Sequence, residues 1–172
     1  MSPNSNDFIA EFKEQIILRI EENTARIKTC LDLLNEEEFW FQANPETNSI
    51  ANLILHLSGN ITQYVISSLG MEKDIRDRDL EFNSKKNFNK EQLFQKISST
   101  CEKAISIIKK STEKDLYHSR KVQGFEMTGI GILIHVTEHY SYHTGQIALS
   151  TKLIVQKDLG FYADLDLNSK NE

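Results

Sequence analysis

Residues that interrupt helices are scarce in this chain, and their scarcity constrains its fold more than any other sequence feature. Proline occurs at positions 3 and 45 alone, and the 172 residues include 7 glycines. Everything after Pro45 is therefore free to form long helices. Because β-sandwiches and β-barrels consume many turn residues, the same deficit disfavours both of them. The sequence thus predicts an all-α protein.

Four segments repeat apolar residues every three or four positions, as amphipathic helices do. They span approximately residues 7–35, 49–69, 89–111 and 126–155. Asn89 and Gln92 form a pair typical of a capping box at the start of the third segment, and Gly70 is expected to end the second. A solenoid would need an internal repeat, and the sequence shows none. An up-and-down four-helix bundle is therefore the economical arrangement. We expect one domain over residues 1–172, with a polar tail from about residue 168.

The apolar stripes of the four segments form the candidate core. The predicted core residues are Phe8, Phe12, Ile16, Ile20, Ile27, Leu31, Leu34, Ile50, Leu53, Leu57, Ile61, Tyr64, Leu93, Ile97, Cys101, Ala104, Ile108, Ile130, Leu133, Ile134, Ile147, Ala148 and Ile154. Residues 117–125 are expected to form an extended connection, and residues 158–167 a loop or short turn.

Charge and cysteine usage narrow the class of protein and its partners. The chain carries 20 basic and 25 acidic residues, and this net charge of −5 disfavours nucleic acid as a partner. No stretch approaches the roughly 18 apolar residues of a membrane span, so no membrane partner is expected. The N-terminus also lacks the apolar run of a secretory signal. Cys30 and Cys101 are therefore expected to be reduced, packed thiols in the cytoplasm.

Three of the five histidines, His135, His139 and His143, lie in one short stretch of the fourth helical segment. A step of four residues turns a helix by about 400°, so adjacent rings differ by only about 40° and share one face. Neighbouring half-buried imidazoles repel each other when protonated and lose hydration when neutral. A divalent cation resolves both problems, because neutral imidazole is a common metal ligand.

One helix cannot complete a coordination sphere, so a further ligand is expected from a facing helix. His56 is the candidate, because Asn52, Asn60 and Gln63 share its face and make a polar stripe in an otherwise apolar helix. His56 and two histidines of the fourth segment would leave one coordination position open, which in zinc proteins is typical of catalytic sites. His118 is expected to be either a core histidine that hydrogen-bonds a backbone carbonyl or an exposed residue, and not a metal ligand.

Two known uses of histidine-rich helices do not fit these residues. The metalloprotease motif HExxH needs a glutamate directly after its first histidine, but Tyr140 follows His139. Di-iron bundles need Glu-x-x-His, but Ser141 stands three residues after Glu138. Proteolysis and di-iron oxygen chemistry are therefore disfavoured.

Residues 52–60, NLILHLSGN, and 139–147, HYSYHTGQI, together resemble the DinB/YfiT-like superfamily of small metal-binding bundles. The typical pattern there is a histidine on the second helix and an H-x-x-x-H-R-G-Q-like run on the last long helix. The resemblance extends over most of the chain in order and length. It implies an up-down-down-up four-helix bundle and a divalent metal, zinc or nickel, held by His56, His139 and His143.

The same resemblance implies a homodimer and an activity. Characterised relatives include thiol-dependent transferases and an isomerase that use low-molecular-weight thiols such as bacillithiol or mycothiol. The leading hypothesis is thus a metal-dependent enzyme that activates a small-molecule thiol, as an S-transferase does, or water, as a hydrolase does. The alternatives are a non-catalytic metal-stabilised binding or stress-response dimer, and a structural helical protein without metal. Glu138, Tyr142 and Gln146 flank the candidate ligands, but no catalytic residue is assigned.

Overall fold

Helices make up most of the computed structural model, which describes residues 5–171. In chain order its elements are α1 (Ser5–Asp32), α2 (Glu36–Phe39), α3 (Ile50–Ile61) continued by a π-helical segment (Thr62–Leu69), α4 (Arg78–Asn83), α5 (Lys90–Lys110), α6 (Glu113–Tyr117), β1 (Ser119–Val122), β2 (Phe125–Thr128) and α7 (Gly129–Val155). The four predicted helices are α1, α3 with its π-helical segment, α5 and α7, which confirms the all-α prediction.

Two predicted helix ends differ from the observed ones because capping residues begin other elements there. The first helix was predicted to residue 35 but ends at Asp32, since the side chain of Asn35 caps α2. The fourth was predicted from residue 126 but begins at Gly129, since Thr128 closes β2 and caps α7. The predicted capping box at the start of α5 is present.

The connection before α7 is a β-hairpin. β1 and β2 pair in antiparallel fashion, with Val122 opposite Phe125. Gln123 and Gly124 have φ angles of 49° and 87°, and a type I′ turn requires positive φ at both central residues. The extended connection predicted over residues 117–125 is therefore largely this hairpin, although Tyr117 still belongs to α6.

Contacts near both ends of α1 give the direction of α5. Lys13 Nζ, near the start of α1, donates to the carbonyl oxygens of Lys109 and Ser111 at the end of α5, at 2.9 Å in both cases. At the opposite end, Lys90 Nζ donates to the carbonyl oxygen of Leu31 at 3.1 Å. The helices α1 and α5 are therefore antiparallel.

Similar contacts give the directions of the other two long helices, α7 and α3. Thr24 Oγ1 of α1 lies 2.8 Å from Tyr140 Oη of α7. Further along both helices, the side chain of Cys30 forms a hydrogen bond with Thr151, so α1 and α7 are parallel. Gly70, just after the π-helical segment, packs against Ile107 near the end of α5, so α3 and α5 are parallel. Taking α1 as up, the order is up, down, down, up.

The core follows the predicted apolar stripes, with two exceptions. Every predicted core residue of α3, its π-helical segment and α5 is buried. Phe8 is 65% exposed because α5 ends opposite Lys13, more than one turn further along α1. Ile134 is 50% exposed because its neighbour Leu133 occupies the core-facing direction of α7.

Both cysteines are free, buried thiols, as predicted. Burial raises the pKa of Cys30, against a smaller opposing effect of its hydrogen bond to Thr151. Burial likewise raises the pKa of Cys101, against the hydrogen bonds of Tyr140 and Thr24. Both thiols are therefore poor nucleophiles at neutral pH.

Among the described residues, no helix combines the length and the apolar character that crossing a membrane requires.

Candidate metal centre

Three predicted residues, His56, His139 and His143, meet between α3 and α7. Each offers a ring nitrogen, and these three atoms lie within 4.8 Å of one another. The Nε2 atoms of His56 and His139 are 3.1 Å apart. Two nitrogens bound to one tetrahedral zinc ion, each about 2.05 Å from it, would be about 3.3 Å apart. The two rings are thus already near the separation that a shared ion imposes.

The antiparallel pairing of α3 and α7 explains which histidines meet. His56 of α3 lies opposite the turn of α7 that carries His139 and His143, and its ring centroid is 4.9 and 5.0 Å from theirs. Two turns further along the chain, Tyr64 stacks on His135 at 4.3 Å. Within the described part of the chain, the group able to share one ion contains His56, His139 and His143 but not His135. The structure thus brings His139 and His143, and not His135, together with His56.

The electrostatic environment keeps the rings of α7 neutral. Burial, followed by the nearby rings of His143 and His56, lowers the pKa of His139 to about 3. Burial also lowers the pKa of His143, although its hydrogen bond to Gln146 opposes that shift. Neutral imidazole is the form that binds a metal ion. The donor set therefore fits a divalent metal ion.

Outer hydrogen bonds hold two of the rings. His143 Nδ1 donates to Gln146 Oε1 at 2.7 Å, which leaves Nε2 of His143 as the acceptor nitrogen. His56 Nδ1 lies 2.9 Å from Glu81 Oε2. Arg76 in turn donates to both carboxylate oxygens of Glu81, at 2.7 and 2.8 Å. Polar partners therefore hold His56 and His143, as they commonly hold the ligands of protein metal sites.

The carboxyl group of Glu81 is ionised despite its burial. Burial by itself raises the pKa of Glu81, but the hydrogen bonds and charges of Arg76 and His56 together outweigh it. The net result is a pKa below the ordinary value for glutamate.

Arg76 and Glu81 are the residues that the sequence analysis missed. Both belong to a charged stretch around α4, where acidic and basic residues are so frequent that none stands out. One signal was available: Gly59 interrupts the apolar helix α3, and a glycine there indicates close approach by another group. Glu81 Oε1 is that group, since a Cβ atom at Gly59 would lie 1.9 Å from it.

The other singled-out residues have structural or surface positions. Asn52 donates to the carbonyl oxygens of Glu81 and Ser84, at 2.9 and 3.2 Å, and Gln63 bonds to Asp74 and Arg76. The polar stripe of α3 therefore docks the segment around α4. The side chains exposed to solvent are those of His118, Glu138 and Tyr142.

Comparisons with known proteins agree with this architecture. Residues 7–163 match the family described as Protein of unknown function (DUF1572). A DinB-like protein from Bacillus cereus ATCC 10987 has a similar structure, with a TM-score of 0.66, 15% sequence identity and coverage of 82% of this chain and 91% of that one. A DinB-like protein of Bacillus subtilis, YjoA, has a TM-score of 0.65, 14% identity and coverage of 84% and 94%. No curated protein sequence matches significantly.

The resemblance expected from the two histidine motifs is therefore confirmed. The structural likeness establishes the fold, and at such low identity it says nothing about the reaction. The family match spans most of the chain. This chain thus belongs to the DUF1572 family and has the DinB-like helical fold.

Proposed function

We propose that this chain binds one divalent metal ion, zinc or nickel, through His56, His139 and His143, and that it is a metal-dependent enzyme. The observation that best supports the proposal is the 3.1 Å separation between the Nε2 atoms of His56 and His139, which belong to different helices. Three imidazoles leave a coordination position for a small molecule, as in catalytic zinc sites.

The reaction we propose is transfer to a low-molecular-weight thiol, or hydrolysis by water. An ion at this site would make a coordinated thiol or water more acidic and so supply a nucleophile near neutral pH. The chain's own thiols, Cys30 and Cys101, are buried and have raised pKa values, which supports a small-molecule thiol as cosubstrate. The chain's residues contribute neutral ligands, and Gln146 holds the ring of His143 in the ligating orientation.

The test is the metal content of untagged protein beside a His56→Ala/His139→Ala double variant. We expect about one equivalent of zinc or nickel in the wild-type chain and none in the double variant, since one remaining imidazole binds weakly. His118→Ala is the matched control, because His118 is exposed and lies outside the cluster. Equal metal content in the wild type and the double variant would contradict the site.

A second candidate function is a metal-stabilised binding or stress-response dimer without turnover. The observation that supports its dimeric part is a stripe of exposed apolar side chains on α7, which a second copy of the chain would cover: Ile134, Tyr142, Leu149 and Leu153. Assays of bacillithiol, glutathione, coenzyme A and cysteine with chlorinated and epoxide electrophiles separate the two functions. Turnover that a chelator abolishes supports the enzyme, and metal binding without turnover supports the binding dimer.

A further inference from the structure

We propose that Glu81, locked by Arg76, is a positioning residue that selects the protonated ring nitrogen of His56. In this arrangement Nδ1 of His56 carries the proton and Nε2 presents its lone pair toward His139. The inference deepens the proposed function, because a histidine binds a metal ion through an unprotonated nitrogen.

An ionised carboxylate accepts hydrogen bonds and cannot donate them. Glu81 Oε2 lies 2.9 Å from Nδ1 of His56, so this nitrogen must be the donor. In the neutral form of the ring, which is the form that binds a metal ion, a proton on Nδ1 leaves Nε2 unprotonated. Arg76 Nη2 also lies 3.2 Å from Nδ1, but a guanidinium only donates, so this contact reflects their shared acceptor, Glu81.

Arg76 holds the carboxylate of Glu81 at both of its oxygen atoms. The guanidinium of Arg76 donates through Nε to Oε1 of Glu81 at 2.7 Å and through Nη2 to Oε2 at 2.8 Å. The side chains of Arg76 and Glu81 are 3% and 8% exposed, so the pair is almost completely removed from water. Gln63 accepts a further hydrogen bond from Arg76 at 2.9 Å. Such two-point pairing fixes the plane of the carboxylate as well as its position.

The main chain around Glu81 is anchored to the same helix that carries His56. Asn52 donates to the carbonyl oxygen of Glu81 at 2.9 Å, one turn before His56 on α3. On the other side, Gly59 lets Glu81 Oε1 rest against bare helix backbone, where a Cβ atom would lie 1.9 Å away. The phenyl ring of Phe82 contacts the His56 ring, with centroids 4.9 Å apart. Asn52, His56 and Gly59 of α3 thus all contact residues 81–82 of α4.

The first measurement is the tautomer of His56 in metal-free protein, read from long-range proton–nitrogen NMR correlations of the ring. We expect a single tautomer with the proton on Nδ1 in the wild-type chain. In Glu81→Gln we expect a mixture, because a side-chain amide can either accept from Nδ1 or donate to it. A wild-type tautomer with the proton on Nε2 would overturn the proposal, and this reading needs no variant to fold.

The second measurement is zinc affinity by competition with a chelating dye. Removal of an outer-shell carboxylate typically weakens metal binding by about 10- to 100-fold, and we expect Glu81→Gln to fall in that range. Glu72→Gln is the matched control, since Glu72 forms an exposed ion pair with Lys103 and should stay within twofold of wild type. Wild-type affinity and a single tautomer in Glu81→Gln would also overturn the proposal.

The two proposals fail in different ways. If the wild-type chain binds no metal, the proposed function is contradicted, while the tautomers of the wild type and Glu81→Gln still decide whether Glu81 sets the state of His56. If metal binds tightly but the tautomer is unchanged in Glu81→Gln, the positioning role alone is lost.

Discussion

Among individual residues, His139 has the environment least compatible with a positive charge. Burial and the neighbouring rings of His143 and His56 lower its pKa to about 3 in the folded chain. In the unfolded chain an imidazole is protonated below its ordinary pKa of about 6.5. Between these pH values the unfolded state binds more protons than the folded state, so acid favours unfolding of the metal-free protein.

We therefore expect the free energy of unfolding of the metal-free protein to decrease as pH falls from 6.5 toward 3. Each unit of pKa difference corresponds to about 1.4 kcal/mol, and solvent screening around a partly exposed ring reduces this, so about 1–2 kcal/mol should be lost between pH 6.5 and about 4.5. The measurement is urea unfolding at both pH values.

The matched variants are His139→Gln, which removes the half-buried ring, and His118→Gln, which removes an exposed ring. The loss between the two pH values should shrink in His139→Gln and persist in His118→Gln. An unchanged loss in His139→Gln would show that other groups cause the acid sensitivity.

The candidate site was partly predictable at the level of single residues. Regular spacing on one helix identified His135, His139 and His143 as candidates, and the family resemblance selected the last two. The polar stripe of α3 identified His56. Glu81 and Arg76 were not predictable, because they belong to the segment between α3 and α5, where no helical period fixes which side chain turns inward. Their contact with His56 depends on how that segment crosses α3, and spacing along the chain carries no information about such a crossing.

At the level of elements, the contact between α3 and the segment around α4 depends on a glycine, Gly59, whose lack of a side chain lets Glu81 approach the helix backbone. Gly59 lies inside the continuous helix that α3 and its π-helical segment form, where glycine costs about 1 kcal/mol relative to alanine in helix propensity. The close packing of Glu81 and Arg76 against its backbone explains why a glycine occupies that position. An added methyl group would displace a buried ion pair and loosen its hold on His56.

We expect Gly59→Ala to destabilise the protein by about 1–3 kcal/mol, because overpacking outweighs the gain in helix propensity. The measurement is urea unfolding at neutral pH. Gly145→Ala is the matched control, since Gly145 lies in the helix α7 and a Cβ atom there would meet nothing within 4 Å. The control should be stabilised by up to about 1 kcal/mol. Equal effects at the two glycines would contradict the packing argument.

Element length determined which parts of the fold the sequence could predict. The long helices carry several turns of apolar periodicity, and their predicted ends lie within a few residues of the observed ones. The three short helices have four to six residues, too few to show a period. The hairpin turn at Gln123 and Gly124 was interpreted as a bare connection, since its flanking strands have four residues each.

At the level of the whole molecule, the order of the helices creates the candidate site. The cluster joins His56 to residues more than eighty positions later, and it forms because α3 and α7 are antiparallel neighbours in the bundle. Periodicity predicts that four helices pack together, but it does not say which are neighbours or which run parallel. The resemblance to a known superfamily supplied that information, and the contacts at the helix ends agree with it.

The outer face of α7 carries a row of exposed apolar side chains. Ile134, Tyr142, Leu149 and Leu153 of α7 are each at least 50% exposed. Their spacings of eight, seven and four residues place them on one helix face, which we call the α7 stripe. Exposed apolar stripes of this kind commonly mark a protein interface. The α7 stripe is therefore the surface at which we expect the proposed homodimer to form.

We expect the wild-type chain to sediment at twice its monomer mass in analytical ultracentrifugation, and a Leu149→Glu/Leu153→Glu variant to sediment as a monomer. Two carboxylates facing their symmetry mates would be desolvated without partners, which opposes association. The matched control is Leu165→Glu/Leu167→Glu, because these leucines are 62% and 68% exposed outside the long helices. This control adds the same charge and should remain a dimer. A monomeric wild type, or a dimer that survives both double substitutions, would contradict the assignment of the α7 stripe as the interface.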